Sequence, residues 1–272
     1  MVFKNITPNV PLVNFVSSIV YYKDFKVEHT KDKFLPDSTT NLVVNLFETP
    51  RYIYNNETLK EKQACVEAWF SGMQTEYLTI SSDNESEMLV ITFKAGASFP
   101  FINQNLDTFN NKVVHAKHVF GDDVMDLRKE LINEKNADKK IELAKKWLLS
   151  QLDEVSFEGE IIQHFVTQIQ NSSESINFKE LAEKSGYSQK QFIHLFKKHV
   201  GLTPKQFHRV VRFNEILCAI FKKEKVDWAF VANEFGYYDQ AHFIKDFQAF
   251  SGHNPKQYID DQGDWPHYIP VR

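Results

Sequence analysis

Two stretches of the chain carry side chains whose types and spacing suit hydrogen bonding to an external polar surface. The first offers Gln189, then Lys190, Ile193, His194 and Lys197 at i, i+3, i+4 and i+7. The second offers Gln240, Ala241, Ile244, Lys245 and Gln248. On a helix such spacing gathers the side chains on one face. Glutamine can pair with adenine, and lysine or histidine can approach the N7/O6 edge of guanine, so the chemistry is base-edge reading. Ile193 has no hydrogen-bonding group but suits a thymine methyl. The plainer alternative is a solvated helix face with one buried isoleucine. The second stretch either reads bases or only grips the backbone. Lys205, Arg209, Arg212 and Lys256 suit phosphate contacts. Arg212 equally suits an internal salt bridge to Glu215 or Asp246.

The elements that position these residues are set by an internal repeat. Leu181-Ala182-Glu183-Lys184-Ser185-Gly186-Tyr187 matches Val231-Ala232-Asn233-Glu234-Phe235-Gly236-Tyr237. Phe192, Phe196, Gly201 and Pro204-Lys205-Gln206-Phe207 match Phe243, Phe247, Gly252 and Pro255-Lys256-Gln257-Tyr258, with one residue added between Tyr237 and Phe243. A match over so many positions marks two copies of one unit. Each copy predicts a short helix closed by a glycine able to take the left-handed conformation (Gly186, Gly236). An N-cap follows (Ser188, Asp239). The next helix buries Phe192, Phe196 and His199 in one copy and Phe243, Phe247 and Phe250 in the other. Gly201 and Gly252 stop it, and Pro204 and Pro255 open the next helix, where a missing N–H does no harm. Residues 204–221 contain no breaker and predict one long connecting helix. Such a connector would fix two reading helices so that both enter successive turns of the major groove, about 34 Å apart.

On these motifs residues 176–259 resemble the DNA-binding domain of the AraC/XylS family of transcription regulators. The carrying residues are Leu181-Ala182, Ser185-Gly186-Tyr187-Ser188, Phe192, Phe196-Lys197-Lys198, Gly201-Leu202-Thr203-Pro204, Phe207 and Arg212. In the second unit they are Val231-Ala232, Gly236-Tyr237, Phe243, Phe247, Gly252, Pro255 and Tyr258. The resemblance implies a sequence-specific, double-stranded-DNA-binding regulator, an activator or a repressor, the sequence leaving the sign open. The family often carries Ser-Arg where this chain has Ile193-His194 and Ile244-Lys245, so the bidentate arginine is missing twice. That leaves the sequence read open and suggests a larger share of apolar and shape-based reading. More loosely, Phe70-Ser71-Gly72-Met73-Gln74, Val90-Ile91-Thr92-Phe93-Lys94-Ala95-Gly96 and Val119-Phe120-Gly121 resemble the cupin-like sensor half of family members.

Earlier in the chain the period is that of strands. Leu42–Phe47, Tyr52–Tyr54, Tyr77–Ile80 and Met88–Phe93 are short β-branched or aromatic runs punctuated by Pro50, Asn55-Asn56, Gly72, Ser82-Asp83-Asn84 and Gly96. They predict an antiparallel sheet or small barrel. From about residue 121 the period turns helical. One helix, capped by Asp122-Asp123, carries Val124, Leu127, Leu131 and Ile132. A second starts at Asp138 and carries Ile141, Ala144, Trp147, Leu148 and Leu152. A third carries Ile161, Ile162, Phe165, Val166 and Ile169. The fold class is therefore α+β. A β-rich sensor domain spans 1–120, a helical linker and dimerisation region 121–170, and the DNA-binding domain 171–272, with the boundary in the polar stretch 171–177. The wide apolar surface of the second helix suggests a homodimer, with a second copy covering the side that the domain's own sheet leaves free; the alternative is that all these side chains are internal core.

Charge and composition narrow the function classes. The net charge of −4 divides into an acidic first part and a basic stretch. Residues 1–171 hold 18 Lys+Arg against 24 Asp+Glu, residues 172–260 hold 13 against 10, and residues 261–272 hold 1 against 2. No apolar run approaches a membrane span, the N-terminus lacks a signal peptide's basic start, and Cys65 and Cys218 are too far apart to suggest a disulfide framework, so the cytoplasm is expected. Residues 30–114 contain no histidine, which disfavours the His-x-His site of a catalytic cupin. His115 and His118 read as a polar loop. No nucleophile elbow, phosphate loop or Cys/His cluster appears. No cofactor or metal is expected, and the chain does not read as an enzyme. The first half either binds a small-molecule effector or only dimerises, a catalytic barrel being the remote alternative. A role in transcription adds RNA polymerase as a further partner.

Overall fold

In the computed structural model, which describes residues 1–24, 26–82, 86–172 and 176–271, the short apolar runs pair into two antiparallel sheets. The strands before residue 66 are β1 (Val2–Ile6), β2 (Val16–Lys23), β3 (Lys31–Phe34), β4 (Thr40–Asn45), β5 (Arg51–Tyr54) and β6 (Glu61–Cys65). The later ones are β7 (Ala68–Ser71), β8 (Leu78–Ser81), β9 (Glu87–Phe93), β10 (Val113–His115) and β11 (Tyr268–Pro270). One sheet runs β1-β2-β9-β4-β7-β10 and the other β11-β3-β8-β5-β6. The expected runs appear as β4, β5, β8 and β9. The turn expected at Ser82-Asp83-Asn84 and the polar stretch 171–177 fall in part outside the described residues.

Alternation decides what each face of the six-stranded sheet meets. Leu89, Ile91 and Phe93 of β9 and Leu42 and Val44 of β4 point to one side. There they pack under α1 (Phe99–Ile102), α2 (Lys117–Phe120), α3 (Asp123–Asn133) and α4 (Ala137–Gln151). On the other side Trp69, Met88 and Val113 meet Ile53 and Cys65 of the second sheet. The α4 stripe is thus used internally. Ile141, Ala144, Trp147 and Leu148 are buried in this core, and Leu149 remains 47% exposed. The apolar surface that suggested a second copy is covered mostly by the chain's own core, by neighbouring helices together with β2. Lys140, on the same helix, is buried with its Nζ 2.8 Å from the Glu87 carboxylate.

Two helix starts differ from the sequence reading. Asn136, not Asp138, caps α4, its side chain accepting from the N–H groups of Asp138 and Lys139. Asp122 precedes α3 but makes no capping hydrogen bond; its carboxylate pairs with Lys117 at 2.6 Å. Ile132 also turns outward from the stripe expected of it.

The remaining helices are α5 (Phe157–Gln170), α6 (Phe178–Lys184), α7 (Gln189–Val200), α8 (Pro204–Ile220), α9 (Trp228–Glu234), α10 (Gln240–Ser251) and α11 (Pro255–Asp261). Ile162, Phe165, Val166 and Ile169 of α5 join the core of the repeat rather than that of α1–α4. That core also takes in Leu35, Met73 and Ala95 from the strand-rich half and Ile269 from β11. After α11 the chain returns to the first half. β11 pairs antiparallel with β3, Tyr268 opposite Phe34, and the Leu35 N–H donates to the His267 carbonyl at 2.8 Å. No helix among the described residues is long and apolar enough to cross a membrane.

Candidate nucleic-acid interface

Local chemistry sets the two reading helices. Ser188 and Gln191 form a reciprocal capping box at the start of α7, and the Asp239 side chain accepts from the His242 N–H at the start of α10. Gly186 and Gly236 adopt φ +77° and +67° in the turns, with open space where a Cβ would be. Phe192, Phe196 and His199, and Phe243, Phe247 and Phe250, are buried as their spacing predicts. The opposite faces are therefore presented outward. Gln189, Lys190 and His194 are exposed on α7, and Gln240, Ala241, Lys245 and Gln248 on α10. Ile193, Lys197 and Ile244 are half-buried.

The two ends of each helix have different surroundings. The N-terminal ends stand clear, and that end of a recognition helix is the one that meets base edges. The C-terminal ends are docked on the strand-rich half. Lys197 pairs with Asp107 at 2.9 Å, and Gly201 would place a Cβ 3.2 Å from the Leu106 carbonyl oxygen. The His199 ring lies 4.1 Å from that of Phe99. At the end of α10, Gly252 packs so closely on Tyr77 that a Cβ would lie 2.5 Å from its ring. His253 there meets Lys33 at 3.3 Å.

The connecting helix ties its two arginines to one acid. Arg209 and Arg212, one turn apart on α8, both reach the carboxylate of Asp246 on α10. Of the alternatives for Arg212, the structure shows the salt bridge to Asp246. Lys205 and Lys256 are exposed near the starts of α8 and α11. Lys205, His208, Arg209, Arg212, Lys245 and Asp246 are among the residues lining a cavity of about 580 Å³ between the two units. Burial, then the neighbouring Arg212, lowers the His208 pKa.

One exposed residue escaped the sequence reading. Tyr238 is 94% exposed directly before the cap of α10. It occupies the insertion that distinguishes the second unit from the first, and that insertion was the available signal. In the strand-rich half, His115 has Glu67 at 3.3 Å on one ring nitrogen and the Lys117 N–H on the other. Among the described residues no group of three or more His, Cys, Asp or Glu side chains is arranged to hold a metal.

Residues 181–261 match the family model described as a helix-turn-helix domain. Residues 4–115 match a second family, described as a domain of unknown function (DUF6597). A curated relative from Haemophilus influenzae, an uncharacterised HTH-type transcriptional regulator, is 30% identical over 90 residues. The match covers 33% of this chain and 30% of that protein. Among solved structures, apo ToxT from Vibrio cholerae aligns over 89% of this chain and 96% of its own, with 10% identity and a TM-score of 0.45. A transcriptional regulator from Chromobacterium violaceum, with an AraC-type DNA-binding domain, aligns over 39% of this chain and 94% of its own, with 18% identity and a TM-score of 0.35. The helix-turn-helix region supplies both of these helices, and the strand-rich half supplies the surface on which their C-terminal ends rest.

Proposed function

We propose that the chain is a sequence-specific regulator of transcription that binds double-stranded DNA through both helix-turn-helix units. The observation that carries this reading is the pair of exposed N-terminal helix ends, spaced by the unbroken helix α8. In the first unit Gln189, Lys190, Ile193 and His194 meet base edges, and in the second Gln240, Ala241, Ile244 and Lys245 do so. Lys205 and Lys256 meet phosphates. The strand-rich half modulates binding through a small-molecule effector, since residues in direct contact with α7 and with the turn that follows α10 belong to it. RNA polymerase is the proposed further partner. A homodimer belongs to this reading too, through a face other than the buried stripe of α4.

Selection of sites from a random duplex library with the full chain tests the proposal. The expected product is a site with two half-sites centred about 10–10.5 base pairs apart. Absence of any enriched sequence overturns it.

A further inference from the structure

We infer that Asp246 determines specificity by withholding Arg209 and Arg212 from DNA phosphates; the inference rests on the DNA-binding reading above. Asp246 follows Lys245 directly, so it lies on a reading helix, yet it is only 5% exposed. An acid buried there requires compensation, and three donors supply it. Arg209 Nη2 donates to Oδ1, Arg212 Nη2 reaches Oδ2 at 3.4 Å, and Tyr237 Oη donates to Oδ2 at 3.0 Å. Arg212 is occupied further. Its guanidinium stacks on the Tyr237 ring at 3.8 Å, and Nη1 reaches the Gly236 carbonyl at 3.5 Å.

The side chain of Arg209 is 41% exposed, so a phosphate arriving in the cavity could touch it. Taking it fully would leave a buried carboxylate short of a cation, a larger loss than an exposed ion pair recovers. The guanidinium pair therefore stays with Asp246. Non-specific affinity for DNA grows with each phosphate neutralised. A domain that keeps two arginines off the backbone lowers its non-specific grip, and base contacts then weigh more in the ratio of specific to non-specific binding. That suits reading helices whose outward faces carry no arginine.

A double-mutant cycle on the full chain, read by fluorescence anisotropy against a duplex of scrambled sequence across a salt series, tests this. Asp246→Asn keeps the shape and removes the charge. It should raise non-specific affinity about fivefold at 0.15 M salt and steepen the log–log salt slope by about 0.9, the effect of one added phosphate contact. Arg209→Gln alone should leave the slope unchanged, and adding it to Asp246→Asn should abolish the gain. If Arg209→Gln alone reduces the slope, Arg209 already meets a phosphate and the inference falls. If Asp246→Asn only weakens binding at constant slope, Asp246 merely positions α10, and the inference falls again. Where Asp246→Asn does not fold, as judged by circular dichroism, Arg209→Gln alone decides by the same criterion. A wild-type chain that binds no duplex even at low salt overturns the DNA-binding reading itself, a result separate from either of these.

Discussion

Consider acidification of the contact between His199 and Phe99. His199 is 2% exposed, its ring lies against Phe99, and its Nε2 has no hydrogen-bond partner among the described residues. Burial first, and the adjacent Lys198 second, push its pKa down to about 4, against a weaker opposing pull from Glu158. The unfolded chain, with an ordinary imidazole near 6.5, takes up the proton more readily than the folded one. The stability that the neutral ring supports is therefore present above pH 6.5 and is lost as pH falls from there towards 4. Between pH 7 and pH 5 the linkage amounts to about 2 kcal/mol. Phe250 fills the matching position of the second unit, so His199→Phe should fit the same kind of site. Urea unfolding of both proteins at pH 7 and pH 5 measures the effect. The wild type should lose about 2 kcal/mol more than His199→Phe between the two conditions. His208, His253 and His267 are also held low by burial, but they are common to both proteins and cancel in the difference. Equal losses would refute the assignment.

Other substitutions test other parts. On a selected site His194→Ala should cost about 1–3 kcal/mol and relax the preference at one or two base pairs; Lys256→Ala should weaken all sequences alike and reduce the salt slope by about 1, both read by anisotropy. Gly186→Ala, at φ +77° in open space, should cost about 1–2 kcal/mol. Gly252→Ala should cost more, and Tyr77→Leu should recover part of the excess, because the Tyr77 ring occupies the space a Cβ needs. Ile269→Asp should destabilise the whole protein by about 3 kcal/mol or more in thermal or urea unfolding, since it buries a charge where Ile269 is 1% exposed.

The helix-turn-helix units were legible because their determinants are local. Caps, left-handed glycines and an i, i+4, i+7 apolar row act within one or two helical turns, and the repeat displays each of them twice. The periodicity of α4 shows that one face is covered but not by what, so the same stripe fits a second copy or the chain's own sheet. Lys140 illustrates the limit: nothing beside it in sequence announces that Glu87 will neutralise it in the core. Likewise the spacing on α8 puts Arg209 and Arg212 on one face, while the choice between Glu215, Asp246 and a phosphate depends on how α10 crosses that helix. β11 carries too short a strand signal to read, Tyr268 and Ile269 alone. Its three residues end in proline, and they become a strand because β3 offers an unpaired edge. The docking of Lys197 on Asp107 is equally non-local, and it takes one of the five expected α7 residues into an internal ion pair.

The pairing of β11 with β3 also has a consequence for the order of synthesis. A nascent chain emerges from the ribosome N-terminus first, and domains tend to fold as they appear. Here the strand-rich half cannot finish its second sheet in that order. While the helices are being translated, β3 holds the outer position of that sheet, paired with β8 on one side and with the N–H and C=O groups of its outer edge unpaired, a template for any extended segment nearby. The partner that fits, residues 268–270, is made only after both helix-turn-helix units. Completion of the first half thus awaits translation of the second, and a message cut short after the reading helices would yield a protein able to form those helices but carrying an open sheet edge.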